Sequence, residues 1–170
     1  MKMIKRTLVM VFAATLFINC GSDKKKEEKT ETVTKQEVKK EIPKEKKLGI
    51  SGNDLMKFNK SKLTVFEGQK VILTLNHTGK MAAKSMGHNI VILQKGVDVS
   101  GFAMKAIAAS ETGYVPQDAL ADVVAYTKVI GGGESTTIEF DAPAAGTYDF
   151  ICSFPGHYAL MKGKFIVKKN

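Results

Sequence analysis

The sequence predicts an all-β fold, a two-sheet sandwich with one short helical insertion near residues 101–122. Three observations predict it. Short β-type runs recur from Leu48 to the C-terminus, separated by turns containing Gly and Pro. Lys70 to Asn76 alternates Val71, Leu73 and Leu75 with Ile72, Thr74 and Asn76, the period of a strand. One stretch breaks the pattern. Phe102-Ala103-Met104-Lys105-Ala106-Ile107-Ala108-Ala109 is alanine-rich and has no strand period, so it reads as helix.

The elements follow in order. Leu63 to Phe66 precedes a turn at Glu67-Gly68, and Lys70 to Asn76 comes next. His88 to Leu93 is a run of the fully buried type. After the helical stretch come Val123 to Ile130, Ser135 to Phe140, Thr147 to Cys152 and Lys164 to Lys168. No internal repeat is visible.

Upstream of Leu48 the chain reads differently. Lys2, Lys5 and Arg6 precede an apolar run from Leu8 to Ile18, the pattern of an export signal over residues 1–19. That run is too short to span a bilayer as a helix. The run stops at Asn19-Cys20, and Cys20 resembles the cysteine of a bacterial lipoprotein signal, which is lipidated and begins the mature chain. Residues 20–47 are mostly Lys, Glu and Thr, with Val33, Val38 and Ile42 as the sizeable apolar residues. Such a segment cannot bury enough surface to offset its ordering entropy, so it reads as a charged flexible tether. Residues 48–170 form the folded domain.

The formal charge of +9 is spread evenly over these three parts, and no aromatic-basic interleaving accompanies it. Nucleic-acid binding is therefore excluded as a reading. Of the two cysteines, Cys20 is assigned to lipid, which leaves Cys152 as a lone thiol in an exported domain.

Cys152 opens the motif that carries the chemistry. Cys152-x4-His157-x3-Met161 puts a thiolate, an imidazole and a thioether on one loop, and Gly87-His88-Asn89 supplies a second imidazole upstream. A His2Cys set with a weak axial Met is the ligand set of blue-copper electron-transfer centres. One type 1 copper per chain is the expected cofactor.

The loop from Cys152 to Gly163, with Met86-Gly87-His88-Asn89, closely resembles azurin, a bacterial cupredoxin. Ile50 to Asn59, His77-Thr78-Gly79 and Ala125 to Gly131 resemble further landmarks of that family, so the likeness runs from about Leu48 to the C-terminus. It implies a Greek-key cupredoxin sandwich with a helical flap. It also implies roles. Gly87 would offer its carbonyl opposite Met161, and Asn89 would hydrogen-bond toward the thiolate, with Phe154 beside it. His88 would be the buried ligand and His157 the exposed edge. His77 would be internal and non-ligating. Met56, Met81, Met86, Phe154, Tyr158 and Ala159 would ring the exposed histidine as a docking patch. Lys46 and Gln69 stand where the family usually has a disulfide, and Ile90 stands where a Trp is often buried.

The function this implies is single-electron transfer between redox partners outside the cytoplasm. Partners would be c-type cytochromes or copper and haem reductases and oxidases, together with a membrane reached through lipid on Cys20. A copper-scavenging lipoprotein is the alternative, but it calls for clustered Met or His, and the eight Met here are scattered. A self-contained copper enzyme needs a further multi-His site, and the chain has three His in all. The expected protein is not an enzyme.

Overall fold

The computed structural model describes residues 41–170, so the signal segment, Cys20 and the tether as far as residue 40 lie outside the described residues. Among the described residues nine strands make two sheets: β1 Glu45–Asn53, β2 Lys57–Phe58, β3 Lys62–Phe66, β4 Lys70–His77, β5 Val91–Leu93, β6 Val123–Tyr126, β7 Ser135–Asp141, β8 Gly146–Ile151 and β9 Lys162–Lys168. One sheet has the order β2-β1-β4-β7 and the other β3-β9-β8-β5-β6. Parallel pairing of β1 with β4 and of β3 with β9 knits the sequence-distant ends of each sheet together.

The alternation in β4 does what its pattern predicts. Val71, Leu73 and Leu75 are fully buried and meet Ile50, Phe150 and Phe165 in the main core. A second core lies under the helical insertion. Helix α1 (Ala83–Met86) is a short turn that the sequence reading did not anticipate. Helix α2 (Val99–Ile107) starts at Asp98, whose carboxylate accepts from the Ser100 N–H, and it buries Phe102, Ala103 and Ala106. Two 3-10 turns, Ser110–Thr112 and Gln117–Asp122, complete the insertion.

Three boundaries differ from expectation. Strand β1 begins at Glu45, inside the segment read as tether, because Glu45 to Lys47 pair with Lys70 to Ile72. Backbone pairing to β4 supplies there what the polar side chains cannot. Strand β6 stops at Tyr126, and the regular part of His88 to Leu93 begins only at Val91. His88 instead bridges to Ile130. The chain leaves sheet geometry at both places to deliver side chains to the end of the sandwich where β1, β4 and β8 finish.

Gln69 occupies one position of the family's disulfide, and an amide does the joining. Its Oε1 accepts from the Phe66 N–H (2.7 Å) and its Nε2 donates to the Pro43 carbonyl (2.6 Å). Gln69 is 4 % exposed. Replacing Gln69 with Ala removes both hydrogen bonds, which costs about 1–3 kcal/mol. Urea unfolding of the copper-free protein should show that loss, with the metal site's spectrum unchanged after copper is added.

Candidate metal centre

The end of β8 hands the chain to the loop bearing Cys152, His157 and Met161. The Cys152 N–H donates to the Met161 carbonyl (2.9 Å), and the Met161 and Leu160 N–H groups both donate to the His157 carbonyl. Gly156, at φ +80, makes the reversal that brings His157 back toward Cys152. The other imidazole arrives from the opposite side, where His88 exchanges both backbone hydrogen bonds with Ile130.

The ligating atoms of His88, Cys152 and His157 all lie within 4.8 Å of one another, and all three residues are buried. Cys152 Sγ is 3.6 Å from His157 Nδ1. Metal–sulfur and metal–nitrogen bonds of about 2.3 and 2.0 Å, opened to roughly 110–120°, span about that distance. His88 gives a second fit. Its Nε2 is 2.9 Å from the Asn53 carbonyl and its Nδ1 is 2.9 Å from the Gly87 carbonyl. A neutral imidazole has a single N–H, so one ring nitrogen points a lone pair at a carbonyl oxygen. A cation between them removes that conflict. With Nε2–H held by Asn53, Nδ1 is the free donor.

Electrostatics point the same way. Burial is the main reason the Cys152 thiol is pushed up to about 12, while the backbone N–H groups of Asn89 and Phe154 partly favour the thiolate. Burial, then the neighbouring His88 and His77, pushes His157 down to about 4. Burial likewise lowers His88. The centre is thus a neutral, dry cluster that needs a positive ion before its sulfur ionises.

The family profile described as "Copper binding proteins, plastocyanin/azurin family" matches residues 44–168. The chain belongs to that family. It is 48% identical over 119 residues to Azurin-1 of Alcaligenes xylosoxydans xylosoxydans, covering 67% of this chain and 91% of that protein. It is 45% identical over 118 residues to Outer membrane protein H.8 of Neisseria gonorrhoeae, covering 68% of this chain and 63% of that protein. Among solved structures, Auracyanin A, a "blue" copper protein from Chloroflexus aurantiacus, superposes with a TM-score of 0.67 at 31% identity. That likeness covers 73% of this chain and 99% of auracyanin A. Copper is the ion this cupredoxin's donor set takes, and His88, Cys152 and His157 make a cluster fit for a type 1 site.

Met161 is buried in one apolar cluster with Cys152 and Phe154. The Gly87 carbonyl lies 3.8 Å from Cys152 Sγ. Gly87 and Gly52 matter for what they lack. A Cβ on Gly87 would stand 2.5 Å from the Ala83 carbonyl oxygen, and one on Gly52 would stand 2.7 Å from the His88 ring and 3.0 Å from Met161 Cε. Gly52 cannot yield, because its carbonyl accepts from both the N–H and the hydroxyl of Thr78. Only glycine fits between sheet and ligands.

The site residues expected from the sequence stand as follows. His157 is the more exposed of the two histidines, but only just, at 3 % against 0 % for His88, with the Phe154 ring 4.8 Å away. Asn89 faces the thiol as expected, through its backbone N–H, while its side chain goes to Ser153 and Gly113. Of the expected docking patch, Met81 and Ala159 are exposed, Met56 and Met86 are half-buried, and Phe154 is buried. Tyr158 turns away to pack on the second core under α2. Sequence reasoning missed Leu55 and Leu160, which project beside the site, and Ser153, whose polar role depends on contacts across 64 residues. His77 is where the resemblance implies. Its Nδ1 accepts from the Gly79 N–H, its Nε2 donates to the Met86 carbonyl, and its ring stacks on His88 at 4.2 Å.

These protonation states fix a proton count. At pH 7 the thiol holds its proton and both imidazoles hold none beyond neutrality. Copper loading should release close to one proton, and apparent affinity should rise about tenfold per pH unit around neutrality. Titration calorimetry in two buffers of different ionisation enthalpy measures it. Release near two would mean that a histidine starts charged.

Proposed function

We propose that this chain is a lipid-anchored blue-copper protein that passes single electrons between redox partners outside the cytoplasm, and is not an enzyme. The buried triangle of His88, Cys152 and His157 carries the reading. These three residues would be the strong ligands of a copper ion and Met161 the weak one, with the Gly87 carbonyl close to the sulfur.

Copper supplies the one-electron couple; the residues supply everything else. Asn53 holds His88 in one tautomer. The backbone N–H groups of Asn89 and Phe154 face the sulfur and temper its charge. Water is excluded by Phe154 and Met161, while His157, the only ligand with any exposure, is the route for the electron. The patch of Met56, Met81, Met86, Phe154 and Ala159 serves brief docking, and Leu55 and Leu160 belong with it better than Tyr158 does. Small interfaces of this kind suit transient redox encounters with cytochromes, reductases or oxidases. Complete burial of Cys152 and His88 argues against copper scavenging, which needs exchange. His77, held by backbone at both nitrogens, leaves no imidazole for a second copper.

Copper-loaded protein should show an intense thiolate-to-copper band in the visible that reductant bleaches. Cys152→Ser should abolish the band and leave the fold. Met161→Leu should keep a blue site and shift its potential, because the axial bond is weak. A colourless Cu(II) form with Cys152 intact would sink the reading.

Anchoring rests on Cys20 after its apolar run, and the name of the outer-membrane relative lends it support. The native protein should partition with membranes and carry lipid on an N-terminal Cys20. Mass spectrometry of that terminus decides: an unmodified Cys20, or a mature chain starting beyond it, would mean a freely diffusing protein.

A further inference from the structure

The copper end carries a charge pattern that the whole-chain composition conceals. Leu55, Leu160 and Met81 form an apolar crest, 76%, 64% and 42% exposed. Leu55 shares a turn with Asn53, the partner of His88, and Leu160 lies between His157 and Met161.

Five exposed lysines belong to this end of the sandwich, each next to a residue of the site in sequence, register or hydrogen bonding. Lys57 pairs with Asn53 in the β1–β2 register. The Lys80 N–H is held by Asp54, and Lys84 lies in α1 just before Gly87. Lys128 precedes Val129, which packs on the cluster of Cys152, Phe154 and Met161. Lys162 follows Met161. Among the described residues none of the five forms an ion pair; the Lys–carboxylate pairs involve Lys47, Lys70 and Lys164.

Three carboxylates keep their charge near these lysines, and two of them are held by backbone N–H groups. The Asp54 carboxylate accepts from the Lys80 and Met81 N–H groups, and the Glu134 carboxylate accepts from the Gly131 N–H. Glu111, close to Gly113, is the third, so five lysines stand against three carboxylates at this end. Protection of a sheet edge would account for Lys57 on β2, but not for lysines on loops, on α1 and on the inner strand β9.

We propose that this surface docks a redox protein whose electron-exchange face is an apolar spot rimmed by carboxylates. The proposal rests on the electron-transfer reading above. Opposite rims steer encounter and set orientation, while the crest makes the short-lived contact. An apolar crest by itself would leave the five lysines unmatched.

The test mixes the reduced, copper-loaded full chain in stopped flow with two oxidised probes of matched potential, an acidic cytochrome and a basic one. At low salt the acidic probe should react at least about tenfold faster, with the advantage lost as salt rises. The double variant Lys80→Glu/Lys128→Glu should remove that advantage while keeping the blue band. Lys46→Glu/Lys168→Glu makes the same change in net charge at the far end of the sandwich, and it should alter the rate less than about twofold. Equal effects from the two pairs, or no preference for the acidic probe, would overturn the proposal. Flotation of the Cys20→Ala chain with phosphatidylglycerol vesicles would also overturn it if it depended on these lysines and the cytochrome rates did not. Hexacyanoferrate(III) separates the two levels. Oxidation by it without charge preference among cytochromes removes this proposal alone, and failure with it as well removes the electron-transfer reading beneath.

Discussion

The side-chain amide of Asn89 ties together three stretches that lie far apart in the chain. Its Oδ1 accepts from the Ser153 N–H (2.8 Å), and its Nδ2 donates to Ser153 Oγ (2.9 Å) and to the Gly113 carbonyl (3.1 Å). The Ser153 hydroxyl in turn donates to the Tyr114 carbonyl (2.7 Å). Asn89 follows His88 and Ser153 follows Cys152, so this knot sets the spacing between the second imidazole and the sulfur. It is buried and satisfied without any ion, which makes it costly to open. The donor triangle is therefore in place before metal arrives. A site already held by its own hydrogen bonds has little to rearrange when an electron comes or goes.

That rigidity is maintained against local strain. Tyr114 and Met56 are the two described non-glycine residues with positive φ, at 61° and 54°. Both pack against the cluster of Cys152, Phe154 and Met161. Such conformations cost on the order of 1–3 kcal/mol each and persist only where surroundings over-determine them. Here the surroundings are identifiable: the Tyr114 carbonyl accepts from Ser153, and the Met56 N–H donates to the Asn53 carbonyl, which also receives His88. Strain and ligand positioning share the same atoms.

What could be read from the sequence follows the range of the interactions. Cys152, His157 and Met161 fall within one loop, so residue types and spacing suffice to name them. Strand β4 declares itself because alternate burial is a local pattern. His88 needed its flanking Gly87 and Asn89, and its partner Asn53 acts through a backbone carbonyl, which carries no side-chain signature at all. Tyr158 was misjudged because the sequence says only that an aromatic follows His157; which core it joins depends on α2 packing beside it. Glu45 to Lys47 have polar side chains, and a parallel partner 25 residues downstream turns them into strand. Gln69 likewise reads as a surface residue until Pro43 and Phe66 come within its reach.

Burial of the centre has a consequence for its charge. A thiolate with two neutral imidazoles contributes one negative charge, so a divalent ion leaves the site at +1 and a monovalent ion leaves it neutral. Desolvation penalises the charged form, as it does for the His157 imidazole and the Cys152 thiol here. Among the described residues no carboxylate belongs to the cluster, and the Asp54 charge acts on His88 only weakly. Asp54 comes nearest, 4.0 Å from His77 Nε2, and its oxygens are taken by the Lys80 and Met81 N–H groups. The backbone N–H groups facing the sulfur withdraw further electron density from it. Each of these terms favours the reduced state over the oxidised one. The dryness that keeps the metal-free thiol protonated is thus the same property that makes the loaded site a ready electron acceptor.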